Sequence, residues 1–315
     1  MAICLITGVA GFIGSSVANR LLLEGYNVIG IDSFTDYYSI ALKKKNLNEL
    51  LKSKSFKFYE LDLTQSDIKK LLLNVEYVFH FAGQPGIRDG FGKNFTYYLN
   101  RNILATQMLL ESVKDISIKK FIFASSSSVY GQQKAVEVSE FEHPKPISLY
   151  GTSKLMAENV CKIYLEKFGV PVIILRFFTV YGPKQRPDMA INKMIQSVLY
   201  QKKFSIYGNG NQTRDFTFIN DIVDACILSI KSNVKGETFN IGSGKNITLN
   251  DTLNKIQNIV SQEIDVEYVA KEFGEGENTL ANISKAKTLL HYSPKWNIDY
   301  GLEEEINWIK MQLGK

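Results

Sequence analysis

The octet Thr7-Gly8-Val9-Ala10-Gly11-Phe12-Ile13-Gly14 leaves this chain few architectures. It follows Ile3-Cys4-Leu5-Ile6, a short apolar run that reads as a strand buried on both faces. It precedes residues 12–24, where Ile13, Val17 and Leu21 recur at helical spacing up to Gly25, a residue suited to a helix C-terminus. Glycines at three-residue intervals permit a tight strand-to-helix turn, close approach of the backbone to a pyrophosphate, and packing of helix on strand. The free N–H groups and dipole of the helix start then stabilise phosphate charge. Any tight turn uses glycine, so the flanking strand and helix are what make this a dinucleotide-binding turn.

The same alternation continues. Short apolar runs at 28–31, 56–59, 77–81, 121–124 and 172–175 read as strands, and 100–114 and 150–168 as helices. Strands alternating with helices give an α/β fold, a doubly wound parallel Rossmann sheet covered on both faces. After Arg176 the rhythm loosens, with Gly182-Pro183, Gly208-Asn209-Gly210 and Gly242-Ser243-Gly244 as punctuation. We expect a dinucleotide-binding domain over 1–175. A smaller α/β C-terminal substrate lobe is expected over 176–315, with some segments returning to the sheet.

Composition excludes several classes. With 45% hydrophobic and 22% charged residues, the chain can build a large core and is not disordered. The net charge of +5 is spread out, without the dense basic stripe of a nucleic-acid binder; an anionic small ligand fits it. Lys43-Lys44-Lys45 reads as a solvated helix face. Three scattered cysteines and three histidines at no ligand spacing argue against a metal site or a disulfide framework, and for a reducing compartment. No run is long enough for a membrane span, and Met1 to Gly14 reads as strand and turn rather than signal peptide. A soluble cytoplasmic protein is expected.

Asp32 ends the second strand, 18 residues beyond Gly14. A carboxylate there accepts hydrogen bonds from ribose hydroxyls and repels a 2′-phosphate, which favours NAD over NADP. The alternative is a helix cap or surface acid. Asp62-Leu63, after the third strand, can meet the adenine, although acids at strand ends are common. Ser125-Ser126-Ser127-Ser128 follows the fifth strand, where ligands bind in such sheets. Tyr150 and Lys154 lie four apart on one helix face. A lysine ammonium and an oxidised nicotinamide are expected to lower the tyrosine pKa from about 10 and make it a general base.

Taken together these segments resemble the extended short-chain dehydrogenase/reductase family, specifically its nucleotide-sugar epimerases and dehydratases. The matching stretches span nearly the whole chain: TGVAGFIG (7–14), HFAGQPGIR (80–88), ASSSSVYG (124–131), YGTSK (150–154), RFFTVYGP (176–183), QRPDMA (185–190), RDFTFINDIVDA (214–225) and NIGSG (240–244). The resemblance implies an enzyme that binds NAD and a UDP-sugar, and a homodimer joined through helices 100–114 and 152–168. It places NAD against Gly8, Gly11, Phe12, Ile13, Gly14, Asp32, Asp62, Leu63, Ala82, Tyr150 and Lys154. It makes Tyr150 the base, Lys154 the ribose ligand that tunes it, and Ser126 the holder of the sugar 4-hydroxyl. Arg214 would pair with the diphosphate; an ion pair with Asp215 is the alternative.

The family runs several reactions. Its 4,6-dehydratases carry an Asp-Glu pair where this chain has Ser126-Ser127-Ser128, and its glucuronate decarboxylases a Glu. Without those carboxylates the chain most resembles the UDP-glucuronate 4-epimerases, in which hydroxyls and an arginine receive the sugar carboxylate. Ser127, Ser128, Thr179 and Arg186 match that role, with Arg88 as a further anion contact or a partner of Asp89. The expected reaction is NAD-dependent 4-epimerisation of UDP-glucuronate/UDP-galacturonate through a transient 4-keto sugar. An NAD(P)H-dependent 4-keto-sugar reductase, and an epimerase of UDP-glucose or UDP-N-acetylglucosamine, stay open. Departures at Lys184-Gln185, Phe273-Gly274-Glu275-Gly276 and Ala281-Asn282 bear on the sugar more than on the reaction.

Overall fold

Eleven elements follow one another through the first half, and the strands set the layers. They are β1 (Ile3–Thr7), α1 (Phe12–Leu23), β2 (Asn27–Asp32), α2 (Ile40–Leu47), β3 (Phe56–Glu60), β4 (Val75–His80), α3 (Phe95–Tyr98), α4 (Ala105–Val113), β5 (Lys120–Ser126), α5 (Leu149–Phe168) and β6 (Val172–Phe177). The computed structural model describes residues 1–87, 90–132, 137–270 and 276–314. Six strands and a seventh, Thr238–Ile241, form one parallel sheet. Its order is Thr238–Ile241, β6, β5, β4, β1, β2, β3. The order reverses between β1 and β4, and such a switch point leaves a crevice at the carboxyl ends of the strands.

Alternation along each strand supplies both layers. Cys4 and Ile6 pack with Val17, Ala18 and Leu21 of α1 on one face. Leu5 between them packs with Leu109 and Leu110 of α4 and Ala157 and Cys161 of α5 on the other. Ile122 faces the first layer, and Phe121 and Phe123 the second. Each fully buried side chain of this size contributes roughly 1.5–3 kcal/mol, so a one-residue slip of any strand is strongly disfavoured.

The helix expected over 100–114 begins earlier, at Phe95, and contains a π-helical stretch, Leu99–Leu104. Beyond β6, the described residues form short strand pairs and five helices. Thr179–Tyr181 pairs with Phe216–Phe218, Thr213–Arg214 with Ile247–Thr248, and Phe204–Tyr207 with Val266–Val269. Ile195, Ile222 and Ile306 of these helices share one hydrophobic cluster with α1 and the sheet. Among the described residues no helix is long and apolar enough to cross a membrane, and no cluster of His, Cys, Asp and Glu could hold a metal.

Candidate active site

A cavity of about 1110 Å³ opens at the sheet crevice. It is lined by the glycine turn, Asp32, Asp62, Leu63 and Ala82, by Ser126–Ser128, Tyr150 and Lys154, and by Thr179, Arg186 and Arg214. That volume exceeds the usual pocket for one small ligand, about 300–1,000 Å³. Gly8 has φ +70°, and a Cβ there would stand 2.7 Å from the Ala82 nitrogen. A Cβ on Gly14 would stand 2.2 Å from the Gly8 carbonyl oxygen. The chain thus keeps a bare backbone cradle at the start of α1, which fits a dinucleotide pyrophosphate.

Asp32 accepts from the backbone N–H of Ala10 at 3.0 Å and of Phe34 at 2.9 Å. The acid therefore braces the glycine turn as well as facing the cavity. Burial raises its carboxyl above the ordinary value, opposed in part by the Phe34 N–H and by Lys43. Asp62 accepts from the N–H and hydroxyl of Thr64, at 2.8 and 2.7 Å, which fixes the turn beneath the expected adenine.

Lys43 corrects the expectation of a solvated lysine run. It is only 5% exposed, while Lys44 and Lys45 are exposed. Its ammonium donates to the carbonyl and hydroxyl oxygens of Thr35 and lies 4.6 Å from the centre of the Tyr38 ring. Burial lowers its pKa, with Asp32 opposing. A buried cation near Asp32 was missed in the sequence; the signal was its four-residue spacing to buried Leu47.

The reacting groups meet because α5 starts directly on the serine turn. Ser148 caps the helix, accepting from the Gly151 N–H at 3.1 Å. A Cβ at Gly151 would stand 2.3 Å from the Ser128 carbonyl oxygen, so the missing side chain allows this approach. The Tyr150 hydroxyl and the Ser126 side chain line the cavity together, and Ser126 opposes the rise of the Tyr150 pKa. Ser126 also accepts from the Ser128 N–H at 3.1 Å. Lys154 donates to the Ala124 carbonyl at 2.9 Å.

The electrostatics differ from expectation. Burial raises the Tyr150 pKa instead of Lys154 lowering it, and the cation opposing that rise is Arg186. Lys154 is itself buried, and its pKa falls to about 8. Its ammonium is directed at a backbone carbonyl, so the opposition to that rise in the resting chain comes from Arg186 and from Ser126. His80, hydrogen-bonded between Thr7 and Thr106, is pushed by burial to about 3 and stays a neutral core residue.

A buried network seats α5. Glu158, one turn beyond Lys154, accepts from Arg176 Nε at 2.9 Å and Nη2 at 2.6 Å, and from the Ser125 hydroxyl at 2.5 Å. Arg176 Nη1 donates to the Tyr130 hydroxyl at 2.9 Å, and Tyr130 donates to Asn240 at 2.7 Å.

At the substrate end, Arg186 donates to Asp188, and Arg214 donates to the carbonyls of Thr213 and Glu277 at 2.9 and 3.0 Å. The alternative partner of Arg214, Asp215, accepts instead from Ser243, Gly244 and Ala281. Arg88 and residues 273–275 lie outside the described residues. Arg101, which donates to Gln84 at 2.6 Å, also lines the cavity and was not singled out in the sequence.

Known proteins resemble the chain over its whole length. It is 44% identical to an uncharacterized UDP-glucose epimerase of Bacillus subtilis over 97% of both chains. It is 38% identical to the UDP-glucuronate 4-epimerase of Thermodesulfobacterium geofontis, over 99% of this chain and 98% of that one. The UDP-glucuronic acid 4-epimerase of Bacillus cereus, solved with UDP-glucuronic acid and NAD, superposes with a TM-score of 0.96 at 41% identity, covering 98% and 99% of the two chains. With residues 4–242 matching its pattern, the chain belongs to the NAD dependent epimerase/dehydratase family.

Proposed function

We propose that this chain is an NAD-dependent 4-epimerase that interconverts UDP-glucuronate and UDP-galacturonate. The observation that carries this reading is the convergence of Ser126, Tyr150, Lys154 and Arg186 on the cavity that begins at the glycine turn. Bound NAD supplies a reversible hydride acceptor for the sugar C4. Gly8, Gly11, Phe12, Ile13 and Gly14 would hold its pyrophosphate, Asp32, Asp62 and Leu63 its adenosine half, and Lys154 its second ribose.

Ser126 orients the 4-hydroxyl, Tyr150 takes its proton, and Tyr150 returns the proton after the 4-keto sugar has presented its other face. Arg214 holds the diphosphate. Ser127, Ser128, Thr179 and Arg186 hold the sugar carboxylate. A carboxylate β to a ketone loses carbon dioxide readily, and donors that keep its charge in place oppose that loss. The B. subtilis relative's name favours a second reading, UDP-glucose as substrate.

Incubating purified protein with UDP-glucuronate, UDP-glucose and UDP-N-acetylglucosamine separately, with NAD⁺, and following products by proton NMR tests both. A C4 epimer of UDP-glucuronate without net NADH supports the first reading. Epimerisation of UDP-glucose alone replaces it with the second, and no product from any of the three donors points to a keto-sugar reductase.

We further infer a homodimer in the cytoplasm. Met156 and Ile163 on α5 are 43% and 54% exposed, and Leu104 beside them is 42% exposed, an apolar face that a second copy would cover. The three cysteines are buried and free, as suits a reducing compartment. Light scattering of the purified protein checks the dimer.

A further inference from the structure

Arg186 meets its own chain before it meets any substrate. Its Nε donates to Asp188 Oδ1 at 2.9 Å and its Nη2 to Oδ2 at 2.9 Å, so Asp188 holds one whole edge of the guanidinium. Asp188 is held in turn by the Tyr37 hydroxyl, which donates to Oδ2 at 3.4 Å from the segment following β2. The guanidinium also lies 5.9 Å from the centre of the Tyr37 ring. These contacts join the cofactor side of the cavity to its substrate side.

A guanidinium has five N–H donors in a rigid plane. Asp188 uses the Nε–Nη2 edge. Nη1 has no partner among the described residues, and Arg186 lines the cavity together with Tyr150. A long arginine side chain loses rotamer freedom when it is ordered, a cost to a binding step unless it has been met in advance. An arginine held along one edge can present the other to a planar carboxylate without that cost. The same contact leaves the cation partly neutralised when an uncharged sugar fills the site.

We propose that Asp188 is a positioning residue for substrate choice, which aims the free edge of Arg186 and thereby favours carboxylated over neutral sugars. The proposal rests on the reading that the sugar carboxylate meets Arg186. Asp188→Asn keeps the size but places an amide NH₂ against an arginine donor, so one of the two bonds is lost and the guanidinium turns more freely.

The test measures dissociation constants of UDP-glucuronate and UDP-glucose by calorimetry on the NAD-loaded full chain, in a Tyr150→Phe background so that neither sugar is converted. Asp188→Asn should weaken UDP-glucuronate at least tenfold and UDP-glucose less than threefold. Equal weakening of both, or unchanged or tighter UDP-glucuronate binding, overturns the proposal. Arg186→Ala separates the two levels. If it leaves the glucuronate-to-glucose ratio unchanged, the carboxylate reading fails and the proposal with it. If it moves the ratio while Asp188→Asn does not, only the role of Asp188 fails. Should Asp188→Asn not fold, Tyr37→Phe removes the outer hydrogen bond to Asp188 and should move the ratio about threefold in the same direction; an unmoved ratio there overturns the proposal.

Discussion

Replacing Arg176 by Met tests how the catalytic helix is seated. The side chains of Arg176 and Glu158 are 3% and 0% exposed, and they join β6 to α5 through two bonds of 2.9 and 2.6 Å. For charge centres about 4 Å apart at an effective dielectric near 20, the attraction is about 4 kcal/mol. Both ions also lose hydration, so the pair as a whole contributes much less than that figure. Arg176→Met leaves the Glu158 carboxylate buried with Ser125 as its remaining donor, which should destabilise the chain by about 3–5 kcal/mol. With roughly 2–4 °C per kcal/mol for chains somewhat shorter than this, the melting temperature should fall by about 10 °C. Glu158→Gln with Arg176→Met removes both charges and should lie within about 1–2 kcal/mol of the parent. Urea unfolding of the two single variants and the double variant measures the coupling. A loss under about 1 kcal/mol for Arg176→Met, or a double variant that loses the sum of the singles, would refute the reasoning. The double variant should also turn over more slowly, because Tyr150 rides on α5, which the pair clamps to β6.

Tyr150→Phe should lower turnover by about 10²–10⁴-fold while leaving NAD bound; near-normal turnover by NMR would remove Tyr150 as the base. Gly14→Ala places a Cβ 2.2 Å from the Gly8 carbonyl oxygen and should abolish NAD binding in calorimetry, whereas parental affinity would mean the turn has room to give. Asp221 predicts a pH effect on stability. Burial pushes its carboxyl from 3.8 to about 6, so the folded chain holds this proton more tightly than the unfolded one. The parent therefore loses stability as pH rises from about 4 to 6 and does not regain it above. Asp221→Asn does not titrate, so the melting-temperature gap in its favour should open across that window; a gap constant from pH 4 to pH 8 contradicts the assignment.

The glycine turn, the strands around it and the Ser-Tyr-Lys positions were legible because each is a local pattern: a period, a turn residue, a spacing of four. What was not legible depends on contacts between distant residues. Lys43 looks like surface in a run of three, and only the approach of Thr35 and Tyr38 buries it. Asp32 was read as a ribose ligand, but its bond to the Ala10 N–H, a second task, exists only once β2 lies beside β1. The four-residue spacing points to Lys154, with oxidised nicotinamide, as the cation acting on Tyr150. In the fold, Lys154 reaches back to Ala124, and Arg186 arrives from the other lobe. Spacing along a helix says which side chains share a face; it does not say which polar groups compete for them.

The seventh strand of the sheet has a consequence for how the chain comes into being. Thr238–Ile241 pairs along β6, sixty-odd residues after β6 itself. During synthesis, β6 leaves the ribosome with its hydrogen-bonding edge bare and stays so until residue 241 has followed. Its sequence, Val172 to Phe177, is fully buried in the finished fold and carries one charge. Such an edge is a template for pairing with a neighbouring nascent chain. Truncation after residue 175 would make that transient exposure permanent. The natural stopping point for a self-sufficient nucleotide-binding piece therefore lies beyond Ile241, deep inside what the loosening sequence rhythm marks as the second lobe.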